Sequence, residues 1–329
     1  MPFELFDKHR LNLKSLSERY SDIDLSIMLD PKADIEVIDD KKYEYLAEAI
    51  IKAKENKAAV ILMYGAHVIR SGCALYMIKL IEDGLVTHLA TNGAGAIHDF
   101  EFAYSGQTCE SVAKYISEGQ FGLWKETGYI NDALRLGYDN NMGAGEAIGK
   151  YIEDNNYSYK EYSVLAAAYK NKIPATVHIG IGNDIIHEHP NADGRVLGQT
   201  SYIDFLIYTN SILNLENGVF LNFGSAVTGP EVYLKALAMA RNVAHQNGKM
   251  ISNITTAVFD LLPIENKNFE NTPPKTDPTY YFRPWKTILT RTVADGGRSF
   301  YFQGSHEKTL PNLSKRLFEL NNIRETELC

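Results

Sequence analysis

The chain repeatedly places a turn of small residues directly after a short apolar run. The apolar runs cover residues 58–63, 85–90, 173–179 and 218–223, and the turns after them cover 64–67, 91–99, 180–184 and 224–230. Apolar runs of strand length that alternate with helical patterns predict parallel strands buried on both faces. The carboxyl ends of such strands share one edge of the sheet, where ligands bind. The pattern therefore predicts an α/β fold, a Rossmann-like, mostly parallel sheet with helices on both faces.

The helical patterns fall between these strands. Apolar residues recur with helical spacing in residues 41–56, 71–83, 162–171 and 230–241. A further strand is predicted for residues 250–258, and the polar, proline-rich residues 265–279 predict a long loop. We divide the chain into an N-terminal extension, residues 1–40, and a single domain, residues 41–329.

Composition narrows the classes of function. The 329 residues carry a formal net charge of -8, which argues against a nucleic-acid-binding surface. No apolar run approaches the roughly 20 residues of a membrane span, so no membrane partner is expected. Cys73, Cys109 and Cys329 form no CxxC pair and favour a reducing compartment. We therefore expect a cytoplasmic protein.

The turn at residues 91–99 (TNGAGAIHD) has two interpretations from its residues alone. Glycine and alanine allow backbone N–H groups to approach a ligand such as a phosphate closely. The same residues are equally typical of a plain strand-to-helix turn. The coincidence of several such turns at one sheet edge favours the ligand-binding interpretation.

Taken in order, the turns resemble the deoxyhypusine synthase family over residues 41–317. The resemblance is carried by residues 68–72 (VIRSG), 91–99, 119–121 (GQF), 126–128 (ETG), 173–174 (IP), 224–227 (GSAV), 254–257 (ITTA) and 285–286 (WK). It implies an NAD-dependent homotetramer that oxidises an amine or polyamine and transfers an aminoalkyl group through an imine on a lysine. The acceptor, whether a protein or a small amine, stays open.

The resemblance also implies roles for individual residues. Lys286 beside Trp285 corresponds to the catalytic lysine, whose neutral form apolar neighbours would favour. The implied NAD-contacting residues are Ala66, His67, Arg70, Ser71, Asn92, Gly93, Ala94, Thr256, Ala257, Ser305 and His306.

The substrate positions depart from the family. Ile97 and His98 stand where the family has paired acids, and only Asp99 matches an acid there. Because a polyamine needs several carboxylates, we expect an altered amine substrate. The residues that we expect to contact it are Asp99, Asp184, His189, Glu231 and Trp285.

A histidine-rich loop, residues 177–190, supplies a further set of reactive side chains. His178, Asp184, His187 and His189 are compatible with structural histidines, with acid–base catalysis on the substrate, or with a metal site. We expect no bound metal and assign His98 and His187 catalytic roles beside Lys286. A metal-dependent hydrolase using this loop and a non-catalytic NAD-binding paralogue are the alternative functions.

Overall fold

A computed structural model describes residues 3–264 and 268–327. The helices are α1 (Lys42–Glu55), α2 (Ala66–Arg70), α3 (Ala74–Glu82), α4 (Gly93–Ser105), α5 (Val112–Ser117), α6 (Tyr129–Asp139), α7 (Ala144–Asp154), α8 (Val164–Lys170), α9 (Gly194–Ile212), α10 (Thr228–Gln246) and α11 (His306–Glu327). The strands are β1 (Ser21–Asp24), β2 (Val60–Tyr64), β3 (His88–Asn92), β4 (Gln107–Glu110), β5 (Ala175–His178), β6 (Val219–Phe223), β7 (Thr255–Asp260) and β8 (Arg298–Gln303). A π-helix covers Trp285–Arg291.

Six strands form one parallel sheet in the order β5-β3-β2-β6-β7-β8. The chain runs outward from β2 through β3 to β5, then returns to the other side of β2 and continues through β6 and β7 to β8. This is the strand order 3-2-1-4-5-6 of the dinucleotide-binding fold, whose order reverses between its first and fourth strands. The predicted α/β class and the predominantly parallel sheet are confirmed.

Helices cover both faces of this sheet. In β2, Leu62 and Tyr64 belong to the larger core, which α1, α3, α4 and α11 complete. Ile61 and Met63 point to the opposite face and pack with α9, α10 and the π-helix. Because successive side chains of a strand alternate between faces, a strand buried on both sides must be apolar at every position. That requirement explains why the strands were recognisable as continuous apolar runs.

The N-terminal segment, residues 3–40, packs against the domain. β1 pairs antiparallel with β4, and Lys14 bridges to Trp124. Arg19 reaches further inward and makes two hydrogen bonds to the Glu101 carboxylate, at 2.8 and 2.9 Å, where both side chains are almost fully buried.

Several element boundaries differ from the sequence prediction. Residues 91–99 do not form an extended turn: Thr91 and Asn92 finish β3, and α4 begins at once with Gly93. The Asn92 side chain accepts from Gly95 N at 2.9 Å and caps this helix. The strand predicted for residues 250–258 begins only at Thr255. The predicted loop at 265–279 begins outside the described residues and continues as irregular chain from residue 268 to a short 3-10 helix at Pro278–Tyr281. Within the described part of the chain, no helix combines the length and apolarity needed to cross a bilayer.

Candidate functional site

The strand order reverses between β2 and β6, and two glycine-containing turns meet there. A Cβ added at Gly65 would lie 2.6 Å from the carbonyl oxygen of Gly224. Gly224 has a φ of 62°, and a Cβ there would lie 2.3 Å from Nε2 of His306. Side chains at these two positions would clash, so the glycines let the two turns and the His306 ring pack in direct contact at the carboxyl edge of the sheet.

Two histidines lie close to this contact between the turns. His306 begins α11 and is buried, and its Nδ1 has no hydrogen-bond partner among the described residues. Desolvation is the main cause that lowers the pKa of His306. His67, in α2, is exposed, and its pKa is lowered by desolvation and then by the charge of Arg70. Both imidazoles are therefore biased towards the neutral form, which can accept or donate a hydrogen bond.

A first cavity, of about 290 Å³, opens beside the amino-terminal end of α4. Ala94 of α4 lines it, and its charged and polar lining comprises Arg19, Asp22, Arg70, His98, Glu101, Cys109, Glu110, Asn183 and Asp184. Arg19 is neutralised by Glu101, whereas Nε of Arg70 is buried without a partner in the described chain. Arg70 is thus a guanidinium with unused hydrogen-bonding capacity at the wall of the cavity.

His98 also lines the first cavity. Its Nδ1 lies 2.7 Å from Oγ1 of Thr108, and Sγ of Cys109 lies 3.8 Å from the same nitrogen. Burial lowers the pKa of His98 to about 4, against the opposing effect of Glu101. The ring is neutral at physiological pH, so His98 contributes hydrogen bonds to this cavity rather than positive charge.

A second, more open cavity, of about 700 Å³, lies on the α9 and α10 side of the same sheet edge. Its polar lining includes Asn92, His178, Asp184 and Glu231, and aromatic and apolar walls come from α9 and from residues 227–232. Glu231 is already paired with Lys235 and, at 3.3 Å, with Arg283. Asp184 makes no ion pair with a described residue, so it is the carboxylate available to a ligand here.

Asp184 lies between the two cavities and lines both. Its Oδ2 is buried without a partner in the described chain, and desolvation raises the pKa of Asp184 to about 6. A Cβ added at Gly93 would lie 2.1 Å from this oxygen. The first glycine of α4 therefore lets the carboxylate sit against the helix amino terminus, where backbone dipoles favour negative charge.

The remaining histidines of the loop have separate surroundings. Nδ1 of His187 accepts from the backbone N–H groups of Gly182 and Asp184, at 3.1 and 3.3 Å. His189 is buried, with Nε2 2.9 Å from the carbonyl oxygen of Gly122. Neither residue lines the two cavities. Among residues 3–264 and 268–327, no group of three His, Cys, Asp or Glu side chains is placed to hold a metal ion.

Other residues from the sequence prediction lie away from both cavities. Asp99 is fully buried and accepts hydrogen bonds from Ser163 Oγ and from Val164 and Leu165 N, which fixes the start of α8. Thr256 and Ala257 lie inside β7 towards its amino end, not at the carboxyl edge. The residues Ala66, Ser71 and Ser305 lie at helix ends, at or near the carboxyl edge of the sheet.

Lys286 and Trp285 belong to the π-helix and line neither cavity. Nζ of Lys286 lies 3.7 Å from the ring centroid of Tyr280, and the lysine is 6% exposed. Nε1 of Trp285 donates to the carbonyl oxygen of Asn271 at 3.2 Å. The structure thus brings His98, Arg70, Ala94, Asn92, Asp184 and Glu231 to the cavities and leaves the Trp-Lys pair apart from them.

Sequence reasoning missed two features of the site. Arg19 comes from the segment treated as an extension, and no local pattern marked it as the partner of Glu101. His178 was noticed in the loop, but its link to His88 through Thr176 depends on the pairing of β3 with β5. Because side chains alternate between the two faces of a strand, Thr176 and His178 of β5 lie on the same face. This two-residue spacing is the sequence signal that indicates their contact.

No family model and no curated protein matches the chain. Among solved structures, it is similar to AgrE in a ternary complex with ornithine and NAD+, with a TM-score of 0.51 and 16% identity over 88% of this chain and 35% of AgrE. It is also similar to a protein from Methanococcus maripaludis S2 described as LOR/SDH, with a TM-score of 0.50 and 16% identity over 89% of this chain and 74% of that protein.

The chain spans about a third of the length of AgrE and of ArgZ, a cyanobacterial arginine dihydrolase that it also matches. A protein from Entamoeba histolytica described as a deoxyhypusine synthase matches with a TM-score of 0.49 and 11% identity over 85% of this chain and 88% of that one. That match is too weak to establish membership of the family that the sequence resembles. The AgrE, ArgZ and LOR/SDH similarities show a common fold.

Proposed function

We propose that the chain is an NAD-dependent enzyme that oxidises a small amine. The observation that carries the proposal is the position of Asp184 between two cavities at the carboxyl edge of a sheet with the dinucleotide-binding strand order. One cavity offers the guanidinium of Arg70, whose Nε has no partner among the described residues and which suits a phosphate. The other offers a carboxylate without an ion pair among the described residues, which suits a cation.

Two buried nitrogens near this sheet edge fit the polar groups of a dinucleotide. Nε of Arg70 and Nδ1 of His306 have no partner in the described chain. Arg70 would contact the phosphates. NAD, when bound, supplies the hydride acceptor for the oxidation. That AgrE has been crystallised with NAD+ supports NAD as the cofactor.

Asp184 would hold the amine. Its carboxylate is partly desolvated and lies beside α4, where a bound ammonium group would restore the interaction that burial removes. The complex of AgrE with ornithine supports an aliphatic amine as the ligand class. Asn92 and residues 179–181 also line the second cavity.

Aminoalkyl transfer through a lysine imine is not part of the proposal. Lys286 contacts the Tyr280 ring and lines neither cavity. Borohydride treatment in the presence of NAD+ and ornithine tests this point by mass spectrometry. We expect no trapped adduct. An adduct that forms in the wild type and is absent in Lys286→Ala would support aminoalkyl transfer through an imine on Lys286.

Calorimetry with NAD+ and absorbance at 340 nm with NAD+ plus ornithine or putrescine test the proposed function. We expect NAD+ binding, and reduction with at least one amine that Asp184→Asn lowers by ~100-fold, consistent with loss of a charge-assisted contact of 1.5–3 kcal/mol. The exposed Asp139→Asn serves as the matched control. Absence of NAD+ binding would overturn the proposal, and binding without turnover would identify a non-catalytic NAD-binding protein.

A further inference from the structure

Four side chains form a continuous hydrogen-bonded chain that ends at the second cavity. Oγ of Ser211 lies 2.8 Å from Nδ1 of His88, and Nε2 of His88 lies 3.0 Å from Oγ1 of Thr176. Oγ1 of Thr176 lies 3.2 Å from Nε2 of His178, which lines the cavity. This series of hydrogen bonds extends from half-buried Ser211, near the end of α9, across β3 to the carboxyl end of β5.

The middle of this chain is isolated from solvent. His88 and Thr176 are no more than 1% exposed, and His178 is 7% exposed. Both imidazole rings pack edge-on against Tyr208, at centroid distances of 5.3 and 5.2 Å. Burial lowers the pKa of His88 to about 3 and that of His178 to about 4, with the charge of His178 as a second cause for His88. Neither ring retains a positive charge at neutral pH.

We propose that His178 accepts the proton released when an amine is oxidised in the second cavity, and that Thr176, His88 and Ser211 pass a proton on to solvent. This inference rests on the proposed function, because the oxidation supplies the proton. Conversion of R–CH2–NH3+ to R–CH=NH2+ transfers one hydride to NAD and releases one proton.

One assignment of donors and acceptors along these hydrogen bonds allows the proton to pass from His178 to Ser211. His178 donates from Nε2 to Thr176, the Thr176 hydroxyl donates to Nε2 of His88, and His88 donates from Nδ1 to Ser211. Nδ1 of His178 is then the free acceptor. When it takes a proton, the Nε2 proton of His178 moves to Oγ1 of Thr176, and the threonine hydroxyl proton moves to Nε2 of His88.

The proton on Nδ1 of His88 then moves to Ser211, which releases its own proton to water. One proton enters and one leaves, so no imidazolium stays in the buried segment. The carbonyl oxygen of Leu89 is a competing acceptor for Thr176, but at 3.5 Å it is a poor one. His178 is thus the catalytic residue of the proposal, and His88 and Thr176 position it and carry the proton.

Long-range 1H–15N NMR of histidine-labelled protein tests the arrangement without any substrate. We expect the wild type to carry the His178 proton on Nε2 and the His88 proton on Nδ1. Thr176→Val removes the hydroxyl at nearly constant volume and should leave His178 as a mixture of tautomers. A wild-type His178 protonated on Nδ1, or an unchanged His178 in Thr176→Val, would overturn the proposal.

Thr200→Val is the matched control, because Thr200 is equally buried and its hydroxyl donates to the backbone carbonyl groups of Val196 and Leu197 in α9. It should leave both histidine tautomers unchanged. With NAD+ and ornithine, Thr176→Val should lower kcat at least tenfold with little change in KM, and Thr200→Val should not. Unchanged kcat in Thr176→Val would also overturn the proton path. A protein with the expected tautomers but without amine oxidation would contradict the proposed function and leave the hydrogen-bond arrangement established.

Discussion

Asp184 lies directly against the first residue of α4, and a Cβ at Gly93 would come within 2.1 Å of its Oδ2. The glycine of the turn is therefore needed for the position of a carboxylate about ninety residues later in the chain. This contact joins the β3 turn to the histidine-rich loop and brings Asp184 between the two cavities.

Gly93→Ala should weaken amine binding. An added methyl group forces the Asp184 carboxylate to move, and we expect the Kd for ornithine with NAD+ present to rise about tenfold, or about 1.4 kcal/mol. Alanine is otherwise well tolerated in a helix. Calorimetry measures the change, with Gly194→Ala as the control because a Cβ there meets no atom within 4 Å. Wild-type affinity in Gly93→Ala would contradict the role of this contact.

Asp184→Asn should stabilise the protein above pH 6. Burial raises the folded-state pKa of Asp184 from 3.8 to about 6, so the ionised carboxylate costs stability above that pH, by about 3 kcal/mol at most. As pH falls from 6 to about 4, the carboxyl is protonated in the folded state and the cost disappears.

Urea unfolding at pH 8, 6 and 4 measures how the stability difference between Asp184→Asn and the wild type depends on pH. The gain of Asp184→Asn over wild type should be largest at pH 8 and close to zero at pH 4. Exposed Asp139→Asn should show no such trend. A variant that is less stable than wild type at pH 8 would show that Asp184 is satisfied by contacts that compensate its burial.

Arg19→Ala should strongly destabilise the fold, although Arg19 belongs to the N-terminal segment. Its removal leaves the Glu101 carboxylate buried, and the remaining side-chain donors to it in the described part of the protein are the hydroxyls of Thr108 and Thr127. Loss of one partner of a buried ion pair costs about 3–5 kcal/mol. Urea unfolding measures the loss, and Arg10→Ala in the same segment should change stability by less than about 0.5 kcal/mol. Equal stability of the two variants would refute the ion pair as an anchor.

Arg70→Ala should weaken NAD binding. Removal of one charge-assisted contact to a phosphate, worth about 1.5–3 kcal/mol, predicts a Kd that rises about 10- to 100-fold. The side chain is half-buried at the wall of the first cavity. Calorimetry with NAD+ measures the effect, and Arg195→Ala is the control, since that side chain is 79% exposed. An unchanged Kd for NAD+ in Arg70→Ala would contradict the proposed contact between Arg70 and the phosphates.

The elements that the sequence predicted well are those whose signal is local. β2, β5 and β6 are buried on both faces and read as continuous apolar runs, and α1 and α3 read as one-sided helices. The long helix α9 and the strand β8 escaped prediction because mixed polar residues interrupt their apolar pattern. The homotetramer, the cytoplasmic location and the division at residue 40 stay predictions.

The sequence by itself determined that small-residue turns follow parallel strands, and hence that ligand-binding groups gather at one sheet edge. It could not decide which side chains face that edge. Asp99 follows the glycine turn in sequence, yet the pitch of α4 turns it towards α8, whereas Asp184 approaches the same helix from a distant loop. Strand order, helix rotation and long-range packing fix these positions, because a side chain's neighbours in space are set by the whole fold and not by its neighbours in the chain.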